Sequence, residues 1–223
     1  MLGIIGGTSL LFSRLPDLEQ QVVHTPYGHC EVLAGEIALL LRHQHETPPH
    51  RINHRAHLSA LALLGVDRLV LFGSAGSLRK EIPPGSLMIP TDYYSTGTVP
   101  SIHEHAIRHV LPGFSGDLNR KLASLVPEAR FGGVYVQTRG PRLETVAEVR
   151  SFAGVGDIVG MTVASEATLA VELGISIAAL CTVDNYAHGL GEVIPTYEHI
   201  VESAEQNKDR TGEILSRIVA NLG

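Results

Sequence analysis

Five places in this 223-residue chain set polar side chains directly after short apolar runs. They are Thr8 within Gly6-Gly-Thr-Ser9, the pair Arg42-His43, Ser74 within Gly73-Ser-Ala-Gly-Ser77, Met161-Thr162, and Asn185. An α/β protein gathers the few groups that recognise a ligand at such strand ends. Arg42 and His43, side by side, offer a bidentate donor and a second donor to a phosphate, although an exposed charged strand end is an equally simple explanation. Gly6 and Gly7 let the backbone turn sharply, so that successive N–H groups and the hydroxyls of Thr8 and Ser9 can cradle an anion. That spacing is neither a dinucleotide fingerprint nor a P-loop, and a tight turn with no ligand also accounts for it. Glu144 stands where a helix is expected to start, so either capping or ligand recognition explains it. A cationic pair, hydroxyls and glycine-rich turns together describe a site for a small anion beside a polar ligand.

The elements that must position these groups follow from the apolar pattern. Leu2 to Ile5 reads as a strand, Pro26-Tyr-Gly-His29 as the turn of a hairpin, and Glu36 to Leu41 as the strand that delivers Arg42. A helix is expected from Ile52 to Leu64 after Pro48-Pro49, with Ile52, Ala56, Leu61 and Leu64 on its apolar face. Leu69 to Phe72 is a continuous apolar run suited to a sheet covered on both faces, with Gly73 to Ser77 as a loop beyond its end. Leu87 to Ile89, Gly133 to Gln137, Ile158 to Gly160 and Ile177 to Val183 are further strands. Helices are expected over Leu118 to Leu125, Thr145 to Phe152, Glu166 to Leu173 and, as one long element, Thr196 to Leu222. Asp92 to Gly116 reads as a long polar insertion bearing His103, His105 and His109, suited to a lid or a subunit contact. The expected fold class is a single α/β domain spanning 1–223.

Composition limits the partners. With 44% hydrophobic residues the chain can bury one sizeable core. A net charge of −6 lacks the clustered Lys and Arg of a nucleic-acid surface, so no nucleic acid is expected as a partner. No apolar run reaches the roughly 18 residues of a membrane span, and the start lacks the basic region of a signal peptide. No membrane partner is expected either. Cys30 and Cys181 match no disulfide framework or metal spacing, which points to a reducing, cytoplasmic setting. His45, His50, His54 and His57 are dense enough to suggest a metal, yet their spacings fit neither a two-His zinc helix nor a compact finger, so no metal is expected.

Several of these segments carry a resemblance. Gly3-Ile-Ile-Gly-Gly-Thr-Ser, Arg42-His43 with His45 and Pro49 to His57, Gly76-Ser-Leu, Gly140-Pro-Arg-Leu-Glu-Thr-Val-Ala-Glu148, and Gly160-Met-Thr with Glu166 together resemble the trimeric purine nucleoside phosphorylase family. Within it the likeness is nearest to the methylthioadenosine and methylthioinosine phosphorylases, and it runs through nearly the whole chain. It implies a mixed central sheet partly closed into a barrel and flanked by helices, and assembly as a homotrimer or a dimer of trimers. It also implies reversible phosphorolysis of a nucleoside, with inorganic phosphate as co-substrate and no cofactor. By the same resemblance Thr8, Arg42, His43, Ser74 and Thr162 hold phosphate, Met161 the ribose, and Glu144, Leu143, Asn185 and Ala187 the purine. Asn185 and His43 are the implied catalytic residues.

The base is the finer question. Adenine-specific members set two aspartates about N7 and the exocyclic amine; counting from Glu166, those positions fall on Asn185 and Ala187. Asn185 can donate to a 6-oxo group and Glu144 can accept the N1 proton, a pairing that implies a 6-oxopurine. A slip of one residue would make Asp184 an adenine reader. At the 5′ end of the sugar the resemblance points to Tyr197, Ile200 and Val201, which suit an apolar methylthio group, although the Tyr197 hydroxyl also suits a 5′-OH. S-methyl-5′-thioinosine is thus the first expectation, inosine or guanosine the second and methylthioadenosine the third. A catalytically silent nucleoside-binding protein is the alternative of another class. The short loop between His43 and His45, and the 92–116 segment, depart from the family pattern.

Overall fold

The computed structural model describes residues 1–223 as one mixed, eleven-stranded sheet between two layers of helices. Its strands are β1 (Leu2–Gly6), β2 (Glu19–Thr25), β3 (Gly28–Ala34), β4 (Ala38–Leu41), β5 (Arg68–Ser77), β6 (Leu87–Ile89), β7 (Asp92–Ser95), β8 (Arg130–Phe131), β9 (Val134–Gln137), β10 (Ile158–Gly160) and β11 (Ser176–Tyr186). The helices are α1 (His54–Leu63), α2 (Gly116–Leu125), α3 (Val146–Phe152), α4 (Val163–Glu172), α5 (Tyr197–Gln206) and α6 (Lys208–Leu222).

Because successive side chains on a strand point to opposite faces, the central strands feed both layers by alternation. Ile5, Leu69, Leu71, Ile177, Ala179 and Cys181 pack with Leu58 and Leu61 of α1 and Ala167 and Ala170 of α4. Leu2, Ile4, Val70, Phe72, Ala178 and Leu180 pack with Leu118 and Leu122 of α2 and Ile214, Ile218 and Leu222 of α6. This double burial is why β1 and β5 read as unbroken apolar runs.

The sheet is organised around β5. β11 runs parallel along one edge of it for its full length. On the other edge β1 pairs with residues 68–72 and β10 with Gly76 and Ser77. Gly73, Ser74 and Ala75 lie between those two neighbours, and at this gap the sheet divides. One arm continues through β1 to β4, β3 and β2, another through β10 to β9 and β7, and β11 leads to β6 and β8. The sheet curls around this branch point without closing into a complete barrel.

Three expectations change. Gly73 to Ser77 is not a loop but the second half of β5, kept extended by its pairing to β11. The long C-terminal helix is two helices, α5 and α6, parted at Asn207, whose side chain donates to the Ser203 carbonyl at 2.8 Å. The 92–116 segment begins with β7, which pairs in parallel with β9. The register between β11 and β5 is broken once. Val183 stands opposite Ala75 and Asn185 opposite Gly76, so Asp184 is an extra residue, a bulge in β11.

Candidate active site

The gap in the β5 edge opens into a cavity of about 220 Å³. Thr8, Arg42, His43, Ser74, Met161, Thr162, Leu143, Glu144, Asn185, Ala187, Tyr197 and Ile200 all line it. Val201 does not: it lies on α5 one residue beyond Ile200, turned away by the 100° step of the helix, which corrects its expected place in the 5′ pocket.

At one end the groups suit an anion. Arg42 leaves β4 with its backbone N–H bonded to the Gly6 carbonyl at 2.7 Å, which ties the end of β4 to the end of β1. Its guanidinium is 2% exposed, so the alternative of an exposed charged strand end is wrong. Nε donates to Glu166 Oε1 at 2.6 Å, Nη2 to Glu166 Oε2 at 2.8 Å, and Nη1 to the Phe72 carbonyl at 3.0 Å. Burial opposes the charge on Arg42, but the charge and hydrogen bonds of Glu166 outweigh it and hold the guanidinium pKa above its ordinary value. Three of its five N–H groups are thus engaged within the protein, and two remain for a ligand. A Cβ on Gly7 would stand 2.6 Å from Arg42 Nη1, so the close approach of the Gly6-Gly7 turn requires glycine.

His43 donates from Nδ1 to the Thr47 carbonyl at 2.8 Å, an assignment the carbonyl itself dictates because it can only accept. Nε2 is therefore the ring atom left for the cavity. Burial, first, and the Arg42 charge lower the His43 pKa, against the opposing Thr47 bond. The neutral ring accepts at Nε2, which suits a phosphate hydroxyl better than a bare oxygen. Thr162 is the N-terminal flanking residue of α4, and its hydroxyl makes no capping bond. That leaves a free donor at a helix N-terminus, the arrangement that favours an anion. Ser74 is more committed, since its hydroxyl donates to Asp184, which the bulge places beside it. Burial pushes the Asp184 carboxyl up to about 6, against the bonds it receives from Ser74 and Ser203.

Behind the ion pair lie His54 and His57, both buried and both with Nδ1 unpartnered. His54 Nδ1 is 3.7 Å from Glu166 Oε1. Desolvation, with the Arg42 charge assisting, draws His54 down to about 3 and His57 to about 4. Two members of the His-rich segment are thus neutral packing beneath Arg42, whereas His45 and His50 are exposed.

The other end suits a polar heterocycle. Glu144 is buried and accepts the Thr138 hydroxyl at 2.6 Å. It is not the cap of α3: Thr145 caps that helix and pairs with Glu148 in a capping box, while Arg142 grips Glu148 with two bonds of 2.8 Å. Capping done by its neighbours leaves Glu144 free to face the cavity. Asn185 donates from Nδ2 to the Tyr186 carbonyl at 2.7 Å, keeping one amide N–H and Oδ1 for a ligand. Asp184, one residue earlier, turns to Ser74 and Ser203 instead, so the bulge separates the two side chains by task. Met161 forms the wall between the ends. Gly140, at φ +66°, lets it in, because a Cβ there would stand 2.5 Å from its Sδ.

Residues 1–220 match the model of the Phosphorylase superfamily. The chain belongs to that superfamily. Among curated relatives, the probable 6-oxopurine nucleoside phosphorylase of Archaeoglobus fulgidus is 42% identical over 235 aligned positions, covering 100% of this chain and 97% of the relative. The probable S-methyl-5′-thioinosine phosphorylase of Methanocaldococcus jannaschii is 33% identical, covering 98% of this chain and 92% of that one. Among solved structures, the methylthioadenosine phosphorylase of Schistosoma mansoni in complex with adenine superposes with a TM-score of 0.87, over 100% of this chain and 91% of that one. At 23% identity it shows the shared superfamily fold.

Sequence reasoning missed some of the lining. Val159, Pro195 and His188 also face this superfamily cavity. His188 follows the polar end of β11, but nothing in its spacing marks it out; it enters because the chain turns at Gly189. Glu166 was legible only as part of the resemblance, and its bond to Arg42 was not.

Proposed function

We propose that this enzyme carries out phosphate-dependent phosphorolysis of a 6-oxopurine nucleoside, giving the free base and a sugar 1-phosphate. The observation that carries the reading is the composition of the base end: a buried carboxylate at Glu144, an amide at Asn185 with both a donor and an acceptor free, and apolar Ala187 where an amino group would need an acceptor. A 6-oxopurine offers an N1–H to Glu144 and an O6 acceptor to Asn185 Nδ2.

In the reaction a phosphate oxygen forms a bond to the anomeric carbon as the bond from that carbon to N9 breaks. The electron pair passes into the purine, and the proton that hydrogen phosphate gives up in becoming the ester is taken up at N7, held against Asn185 Oδ1, so that the base leaves neutral. Arg42, Thr162 and Thr8 keep the phosphate beside the anomeric carbon, where its charge stabilises the oxocarbenium-like sugar. His43 Nε2 orients a phosphate hydroxyl. The step needs no metal or organic cofactor. Pro195, Ile200 and the Tyr197 ring line the sugar's 5′ side, which supports S-methyl-5′-thioinosine first. The Tyr197 hydroxyl supports inosine and guanosine as the second choice.

The reading is tested by incubating purified protein with phosphate and S-methyl-5′-thioinosine, inosine, guanosine or methylthioadenosine, and measuring free base. Release from the first three above the fourth is expected. Inactivity on all four would overturn the activity, and preference for methylthioadenosine would overturn the base assignment. The assembly we propose is a homotrimer acting in the cytoplasm, with light scattering as its test; no helix is long and apolar enough to cross a membrane.

A further inference from the structure

The 6-oxopurine reading leaves one polar group of the cavity without a task. His188 lies with Nδ1 3.1 Å from the backbone carbonyl of Glu144. A carbonyl only accepts, so Nδ1 carries the proton, and in the neutral ring Nε2 keeps its lone pair. The ring is held there by its neighbours. Ala187 bonds its N–H to the Ser77 carbonyl at 2.9 Å, and Gly189, at φ +81°, packs where a Cβ would stand 2.8 Å from Val146 Cγ2.

Glu144, on the same wall, already accepts the Thr138 hydroxyl at Oε1. Its uncommitted oxygen is Oε2. The wall therefore presents acceptors on two residues, the Glu144 carboxylate and His188 Nε2, tied to each other by a hydrogen bond. Hypoxanthine has one donor on its N1–C2 edge. A 2-amino-6-oxopurine has two adjacent donors, N1–H and the 2-amino group. We propose that His188 is a specificity-determining residue that accepts the 2-amino group of 2-amino-6-oxopurine nucleosides. The inference rests on the 6-oxopurine reading and adds a second contact to it.

The test compares inosine with guanosine, which differ only in the 2-amino group, by kcat/KM at saturating phosphate. Wild type is compared with His188→Asn, whose amide can keep the bond to the Glu144 carbonyl but puts no atom at Nε2, and with His188→Gln, whose amide reaches the Nε2 position. We expect wild type to use guanosine within about threefold of inosine. His188→Asn is expected to lower the guanosine-to-inosine ratio about tenfold, the loss typical of one buried hydrogen bond of ~1.4 kcal/mol, and His188→Gln to restore part of it. A ratio unchanged within twofold in His188→Asn, or a wild type that uses inosine but discriminates strongly against guanosine, overturns the inference and leaves the 6-oxopurine reading intact. A wild type inactive on both nucleosides and on S-methyl-5′-thioinosine overturns the two together.

Discussion

The guanidinium of Arg42 and the carboxylate of Glu166, 124 residues apart in the chain, meet through two hydrogen bonds of 2.6 and 2.8 Å, with both side chains buried. Removing one partner of such a pair leaves a buried, uncompensated charge, whereas the intact pair fixes the fork's direction. Glu166 therefore positions the cation at the anion-suited end of the cavity, without lining the cavity itself.

Glu166→Gln keeps the shape and one hydrogen bond but removes the charge. It is expected to raise the KM for phosphate about tenfold while changing the KM for nucleoside much less, in steady-state assays varying each substrate in turn. Glu166→Ala should in addition lower folding stability by about 3–5 kcal/mol, read by denaturant unfolding. Equal changes in both KM values would show that the pair does not serve the phosphate end.

Asn185→Asp exchanges an amide that can donate to O6 for a carboxylate that only accepts. The ratio of kcat/KM for methylthioadenosine over S-methyl-5′-thioinosine is expected to rise about tenfold or more, because a buried acceptor facing O6 penalises the 6-oxo base and suits the 6-amino one. An unchanged ratio would place base recognition elsewhere.

The pH dependence of stability combines two opposed contributions. His54 and His57 have native pKa values near 3 and 4, below the ordinary 6.5, so their contribution is present above about pH 6.5 and is lost as pH falls. Asp184, raised from 3.8 to about 6, acts the other way: its contribution is present below about pH 4 and is lost as pH rises to 6. Between about pH 4 and 6 the unfolded chain therefore binds two protons the native state lacks, and the native state binds one the unfolded chain lacks. From these three groups stability should rise with pH by about 1.4 kcal/mol per unit, the slope for one net proton, and the lowered His43 adds in the same direction. In melting curves at several pH values, Asp184→Asn should steepen this dependence and His57→Phe should flatten it. A fall in stability between pH 4.5 and 6 in the wild type would reverse the assignment.

Much of this site was legible because recognition at strand ends leaves residue types that packing alone does not ask for. Thr8, Arg42, Thr162 and Asn185 each interrupt an apolar run, and each lines the cavity. The misread stretches have a common physical cause, which is that tertiary pairing overrides local pattern. Gly73 to Ser77 has the composition of a turn and is extended only because β11 runs beside it. Arg42 was equally well an exposed strand end until Glu166, far along the chain, supplied its partner. Asn207 carries no glycine or proline to announce the break between α5 and α6. His188 needed the turn at Gly189 to bring it back against Glu144, a contact set by φ rather than by any pattern of polar residues.

The bulge in β11 makes the length of that strand, as well as its composition, part of how the cavity is lined. Asp184 is the one extra residue, so deleting it would restore regular pairing to β5 while leaving Asn185 opposite Gly76 and Tyr186 opposite Ser77. What would go is the carboxylate that receives the Ser74 and Ser203 hydroxyls, together with the slack in the backbone between Val183 and Asn185. For this segment the number of residues, as well as their identity, sets which side chain lies beside Ser74.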